Sequence, residues 1–203
     1  MEPFRRLSAL ACPLPLASVD TDQLIPARFM KTPRAEGYGR FLLYDLRYGS
    51  DGRPSGALPL DEPARAGAQI LVARRNFGAG SSREAAVYAL VDYGIRCVIA
   101  PSFGDIFAAN AANNGLLPAV VSEEDAERLL FALEAGLEEL VVDLEAERIE
   151  GAGEPIAIMI DPVMRTKLLN GWDDLDMTLS RADEIAAFAE ADATRRPWAR
   201  PDA

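Results

Sequence analysis

The chain has 203 residues with 32 acidic and 21 basic side chains, a formal net charge of −11. That balance argues against a nucleic-acid binder, which needs basic patches to displace counterions. Nearly half the residues are hydrophobic, enough to bury a core, yet no apolar stretch approaches the roughly 20 residues a membrane helix needs. Histidine is absent, which removes Ser-His-Asp and Cys-His triads and His-ligated zinc. The two cysteines, Cys12 and Cys97, form no CxxC pair and are too few for an iron–sulfur cluster. They read as buried, reduced thiols in a cytoplasmic protein.

The chain opens with MEPFRRLSALACPLPLA, where Pro13 and Pro15 interrupt the apolar run. This reads as a first strand region rather than a secretory signal. Residues 51–66, rich in Pro and Gly, read as a surface loop. Residues 69–75 and 96–100 are short runs rich in Val and Ile, the pattern of buried strands. Between them, Ser81 to Asp92 reads as a helix opened by serine and stopped at Gly94. Strand, helix and strand in that order predict parallel α/β structure. Asp105 to Asn114 reads as a second helix, closed by Gly115, and residues 116–121 as an apolar segment. Ser122 caps the helix that follows, with Glu123, Glu124 and Asp125 against its positive end. Leu140–Asp143, Arg148–Ile149 and Ile156–Ile160 predict antiparallel strands. Residues 161–188 read as helix in pieces, and residues 190–203 as a weakly structured tail.

Three stretches carry chemistry. Asn76 to Glu84 (NFGAGSSRE) lies between a strand and a helix. Its glycines let backbone approach a ligand, and Arg83 offers a fork for a carboxylate. A hydroxyl in such a nest can take a proton without histidine. The same pattern also describes an ordinary strand-to-helix turn with a serine cap. Asp20 to Pro26 (DTDQLIP) carries Asp20 and Asp22 two residues apart, either a metal or acid/base pair or simple turn and capping groups. Ile99 to Pro118 sets a Pro-Ser-Phe-Gly-Asp turn at a strand's C-terminal end, where open α/β sheets bind ligands.

Together, VDTDQLIPARFM, ILVARRNFGAGSSRE, YGIRCVIAPSFGDIFAANAANNGLLP and IDPVMRTKLLNGWDDLDMTL, with the closing RRPW, resemble one family over residues 12–198. The chain resembles the small subunits of isopropylmalate dehydratase and related homoaconitase-type enzymes, equivalent to the swivelling C-terminal domain of aconitase. The resemblance implies one α/β domain over residues 1–203 with a mixed sheet and flanking helices, of the β/β/α swivelling type. It implies half of a hydro-lyase that moves a hydroxyl between adjacent carbons of 2- and 3-isopropylmalate in leucine biosynthesis. A large subunit would carry the 4Fe–4S cluster, this chain holding no metal of its own. Carried over by position, Ser81 is the general base and Asp22 joins the acid/base network. Ser82 and Arg83 bind substrate carboxylate, and Arg34 and Lys31 lie on a loop that meets the substrate side chain, where each also reads as a solvated loop cation.

The sequence departs from the family where Ala79 separates the glycines and Ala85 replaces a histidine. Those changes leave two further readings: a paralogue for another substituted malate (2-methylmalate or citraconate, dimethylmalate, or homocitrate type), or a non-catalytic partner subunit. An α/β anion-binding module unrelated to dehydration is the remaining class.

Overall fold

The computed structural model describes residues 1–199. The opening segment is a strand, β1 (Arg6–Leu14), followed by two single-turn helices, α1 (Thr21–Leu24) and α2 (Tyr44–Arg47). Three further strand–helix units run β2 (Ile70–Ala73), α3 (Glu84–Tyr93), β3 (Cys97–Ala100), α4 (Asp105–Asn113), β4 (Leu117–Val120) and α5 (Glu123–Glu134). The chain closes through β5 (Glu139–Asp143), β6 (Arg148–Glu150), β7 (Ile156–Ala157), α6 (Pro162–Asn170), α7 (Asp174–Leu179) and α8 (Ala182–Arg195).

Among the described residues, seven strands form one sheet in the order β4-β3-β2-β1-β5-β6-β7. The long strand β1 joins its two halves. Its C-terminal residues Ala11–Leu14 run parallel to β2, while Arg6–Leu10 pair antiparallel with β5. β2, β3 and β4 continue the parallel half. This is the mixed sheet with flanking helices that the sequence implies.

Strands buried on both faces divide their side chains between two cores, because successive residues point to opposite sides. Leu71, Ala73, Val98 and Ala100 join α3 and the α1–α2 region. Ile70, Val72, Cys97 and Ile99 join α5 and the antiparallel strands. Every residue of β2 and β3 is buried, which is why both read as continuous apolar runs.

Four boundaries differ from the sequence reading. Helix α3 starts at Glu84, three residues after Ser81, and neither serine caps it. Residues 51–57 are exposed as expected, but Leu58, Leu60 and Arg65 are buried, so 58–66 is not a free surface loop. Arg65 fixes that segment by donating to the carbonyls of Ala11, Leu137 and Leu133. The predicted strand 156–160 is paired only at Ile156–Ala157, with Met159 bridging separately to Val120. The tail is helical to Arg195, since its alanines favour helix and Arg196 pairs with Asp192 one turn back, at 2.6 Å. The rest of that predicted tail, residues 200–203, lies outside the described residues.

Candidate active site

Three loops leave the C-terminal ends of β1, β2 and β3 side by side. They keep the sheet's order beyond the strands themselves. Asp20 bridges to Ala79, and Phe77 bridges to Phe103, both in parallel register. The Gly78 N–H donates to Val19 O at 2.7 Å, and the Gly104 N–H donates to Phe77 O at 2.9 Å. A cleft of about 190 Å³ opens there, lined by Thr21, Gly78, Gly80, Ser81, Arg83, Asp105 and Asn110, with Gly104, Ile106 and Phe107.

Glycines allow this convergence. Gly78 has φ +71°, and a Cβ there would sit 2.2 Å from the Phe107 ring. Only a residue without a side chain fits between the β2 loop and α4. Phe107 packs edge-on against Phe77, fixing the cleft floor.

The β1 loop supplies the other wall. Asp20 caps α1 by accepting from the Gln23 N–H at 2.7 Å, and the Gln23 side chain answers at the Asp20 N–H at 3.0 Å. This reciprocal pair is a capping box. Asp22 faces the opposite loop and forms an ion pair with Arg83. The two carboxylates that alternate in sequence therefore have different tasks, Asp20 as the cap of α1 and Asp22 as the ion-pair partner of Arg83.

Ser81 and Arg83 line the cleft together. Ser81 is exposed, and Arg83 retains 22% of its side-chain surface, so both remain within a ligand's reach. Ser82 is exposed and outside the lining. Arg83 adopts an extended backbone as the N-cap of α3, which keeps Ser81 and Ser82 in a turn ahead of the helix.

Arg34 and Lys31 are not among the cleft residues. Arg34 makes a bidentate pair with Asp92 on α3, at 2.6 and 2.8 Å, and lies 4.3 Å from the centre of the Tyr88 ring. Asp92 also accepts the Tyr38 N–H at 2.6 Å. These contacts tie residues 34–38 to α3 in the isolated chain. Burial and the neighbouring Glu84 carboxylate push the pKa of the Tyr88 hydroxyl up. Lys31 is exposed. Ala85 is buried in the first turn of α3, packed into the core.

The Pro-Ser-Phe-Gly-Asp turn is legible in the sequence as a loop at a strand's end, but which residues there line the cleft is not. Asp105 and Asn110 belong to the cleft, as does Thr21, which stood in the sequence only as the spacer between two aspartates. The signal for Asp105 and Asn110 is their place just past a parallel strand's C-terminal end.

Cys12 and Cys97 are both fully buried and free, on opposite faces of the sheet. Burial pushes the Cys12 thiol up to about 12 and raises that of Cys97 as well. Thiols kept protonated and apart do not fit as ligands of a shared cluster. Among the described residues, no three His, Cys, Asp or Glu side chains gather in an arrangement that could hold a metal ion. No helix of the described residues is long and apolar enough to cross a membrane.

Residues 1–124 match the family model of the aconitase C-terminal domain. The chain is 46% identical to the 3-isopropylmalate dehydratase small subunit of Paramagnetospirillum magneticum, over 98% of its own length and all of that protein. It is 46% identical to the protein of the same name from Rhizobium meliloti, again over 98% and 100% of the two chains. A crystal structure titled 3-isopropylmalate dehydratase, from Methanocaldococcus jannaschii, aligns with a TM-score of 0.63. It covers 90% of this chain and 98% of that one at 24% identity, a likeness of fold.

Proposed function

The chain belongs to the family of 3-isopropylmalate dehydratase small subunits, and from that premise we propose that Ser81, Arg83 and Asp22 are its contribution to the active site. The reaction is the reversible elimination and readdition of water that interconverts 2-isopropylmalate and 3-isopropylmalate, a step of leucine biosynthesis. The observation that carries this reading is that Ser81 and Arg83 share one cleft while Asp22 pairs with the guanidinium.

In this reading Arg83 grips a substrate carboxylate with two parallel N–H bonds, which orients the neighbouring C–H bond toward Ser81. Ser81, as the alkoxide, removes that proton, and the C–H electron pair becomes the new C=C bond as hydroxide leaves. The same oxygen returns the proton in hydration, in line with microscopic reversibility. Asp22 keeps Arg83 extended across the cleft, and Ser82 supplies a second hydroxyl for the carboxylate. Arg34 and Lys31 meet the substrate side chain only once the 27–41 segment moves against a partner, because Arg34 is otherwise held by Asp92.

Activation of the leaving hydroxyl falls outside this chain. Its cysteines do not fit a cluster, so we assign the 4Fe–4S cluster expected of the family to the large subunit. We read the chain as one swivelling domain over residues 1–203, cytoplasmic, working only in complex with that subunit and binding neither nucleic acid nor membrane.

The test is co-expression with the large subunit and anaerobic assay on 2- and 3-isopropylmalate, citraconate and dimethylmalate. Turnover of isopropylmalate is expected. Turnover of another malate alone would move the substrate and keep the chemistry, and an intact but inert complex would make this a non-catalytic partner. Ser81→Ala is expected to lower turnover at least about 100-fold with assembly intact, and near-normal turnover overturns its role as base. Arg83→Lys should raise KM about tenfold or more, since an ammonium cannot reproduce the fork, and an unchanged KM counts against the carboxylate contact.

A further inference from the structure

The loop that carries Ser81 has little in its own sequence to hold it still. Gly78 and Gly80 both have positive φ, and no side-chain cap joins the loop to the helix it precedes. Its anchors come from another segment. Among the described residues, the hydrogen bonds that residues 78–83 make outside the loop and α3 run to Val19, Thr21 and Asp22. Gly78 N–H donates to Val19 O, Thr21 N–H donates to Ala79 O, Thr21 Oγ1 donates to Ser81 O, and Arg83 pairs with Asp22.

Of these four, one involves the backbone of the reactive serine. Thr21 Oγ1 lies 2.9 Å from the Ser81 carbonyl oxygen. Thr21 is only 2% exposed. An aliphatic side chain would fill that space equally well, and a hydroxyl so buried must find a partner. Its partner here is the Ser81 carbonyl. All peptide bonds of the described chain are trans, so fixing that carbonyl also sends the Ser82 N–H to the opposite side of the same plane. One hydrogen bond thereby fixes the peptide plane that joins the two serines.

We infer that Thr21 is a positioning residue for the dehydration, acting through the Ser81 carbonyl to hold the Ser81 hydroxyl where the substrate proton will be. The inference rests on the proposed role of Ser81 as base. Asp20, Thr21 and Asp22 then act in sequence: the first builds the single-turn helix, the second orients the serine, the third holds the arginine. Ser81 is exposed, so without the threonine hydroxyl its carbonyl turns to water instead. The loss is therefore one of placement more than of folding.

The test compares Thr21→Val, which keeps the shape and removes the hydroxyl, with Thr21→Ser, which keeps the hydroxyl, in the reconstituted complex. Thr21→Val is expected to lower kcat roughly 10- to 100-fold, the scale of a displacement near 1 Å, with KM and complex assembly nearly unchanged. Thr21→Ser should recover most of that loss. In the isolated subunit, NMR order parameters of the Ser81 and Ser82 amides should fall from the rigid range toward about 0.6 in Thr21→Val and recover in Thr21→Ser. Wild-type order parameters in Thr21→Val overturn the inference whatever the substrate proves to be. So does a kcat deficit shared equally by the two variants, or one that follows only their unfolded fraction. Loosened amides in Thr21→Val beside an active Ser81→Ala complex would instead overturn the role of Ser81, leaving the contact intact as geometry.

Discussion

Gly104→Ala adds a single carbon where the β2 and β3 loops close on each other. Gly104 has φ −65° and ψ 133°, values alanine adopts freely, so its own backbone carries no cost. The added Cβ would lie 2.7 Å from the Gly78 carbonyl oxygen and 3.3 Å from Ala79 Cα, against an ordinary separation of 3.4 Å or more. The neighbours are backbone atoms and cannot swing aside as a side chain would. The two loops must separate by about 0.7 Å to reach van der Waals contact. Overpacking of this kind costs about 1–3 kcal/mol. Restricting the unfolded chain offsets about 0.4–1 kcal/mol of it. The clash wins, leaving a net loss of about 1–2 kcal/mol, or a fall in Tm of roughly 2–8 °C for a chain of this size. The displaced atoms carry the loop of Ser81, so kcat in the complex should drop as well, by up to about 100-fold. Thermal or urea unfolding of the isolated subunit reads the first effect, and steady-state turnover of the complex reads the second. A Tm at or above the wild-type value, with unaltered turnover, would show that the loops are not in the tight contact on which the site depends.

Two further substitutions probe the frame around the cleft. Arg65→Met leaves the Ala11, Leu133 and Leu137 carbonyls without their guanidinium donor. Leu133 keeps the Gly136 N–H and Leu137 is part-buried, so the loss should be about 1–3 kcal/mol in urea denaturation, the cost of one buried group left unpaired. A loss below about 1 kcal/mol would mean water replaces the guanidinium. Asp174→Asn breaks the pair that ties α7 to Lys167 on α6. The Lys167 ammonium, donating to that carboxylate, holds the Asp174 pKa below its ordinary value, so the pair stabilises at pH above that value and the benefit disappears as pH falls through the depressed one. The Tm of Asp174→Asn should accordingly lie below wild type at pH 7 and 5 and converge with it below about pH 4. A gap that stays constant across that range would refute the electrostatic origin.

Much of this protein is written in short stretches that need no knowledge of distant residues. β2 and β3 are continuous apolar runs because both of their faces are covered. Ser122 caps α5 as its position implies, accepting from the Asp125 N–H at 3.0 Å. The four stretches that resemble the family are equally local, so its fold and chemistry are legible in the amino-acid sequence alone. The start of α3 is not legible there, because the Ser81 carbonyl is claimed by a threonine sixty residues earlier. Nor is the buried half of the 51–66 segment, whose anchor is an arginine reaching carbonyls of β1 and of the end of α5. Arg34 reads as a loop cation, and its carboxylate partner lies 58 residues away on α3. Local pattern specifies which residues can carry chemistry, since propensity, capping and turn geometry act over a few neighbours. Their grouping depends on strand order. β1, β2 and β3 lie adjacent and parallel, so the loops at residues 19–22, 78–83 and 104–110 end side by side, and no spacing along the chain encodes that meeting.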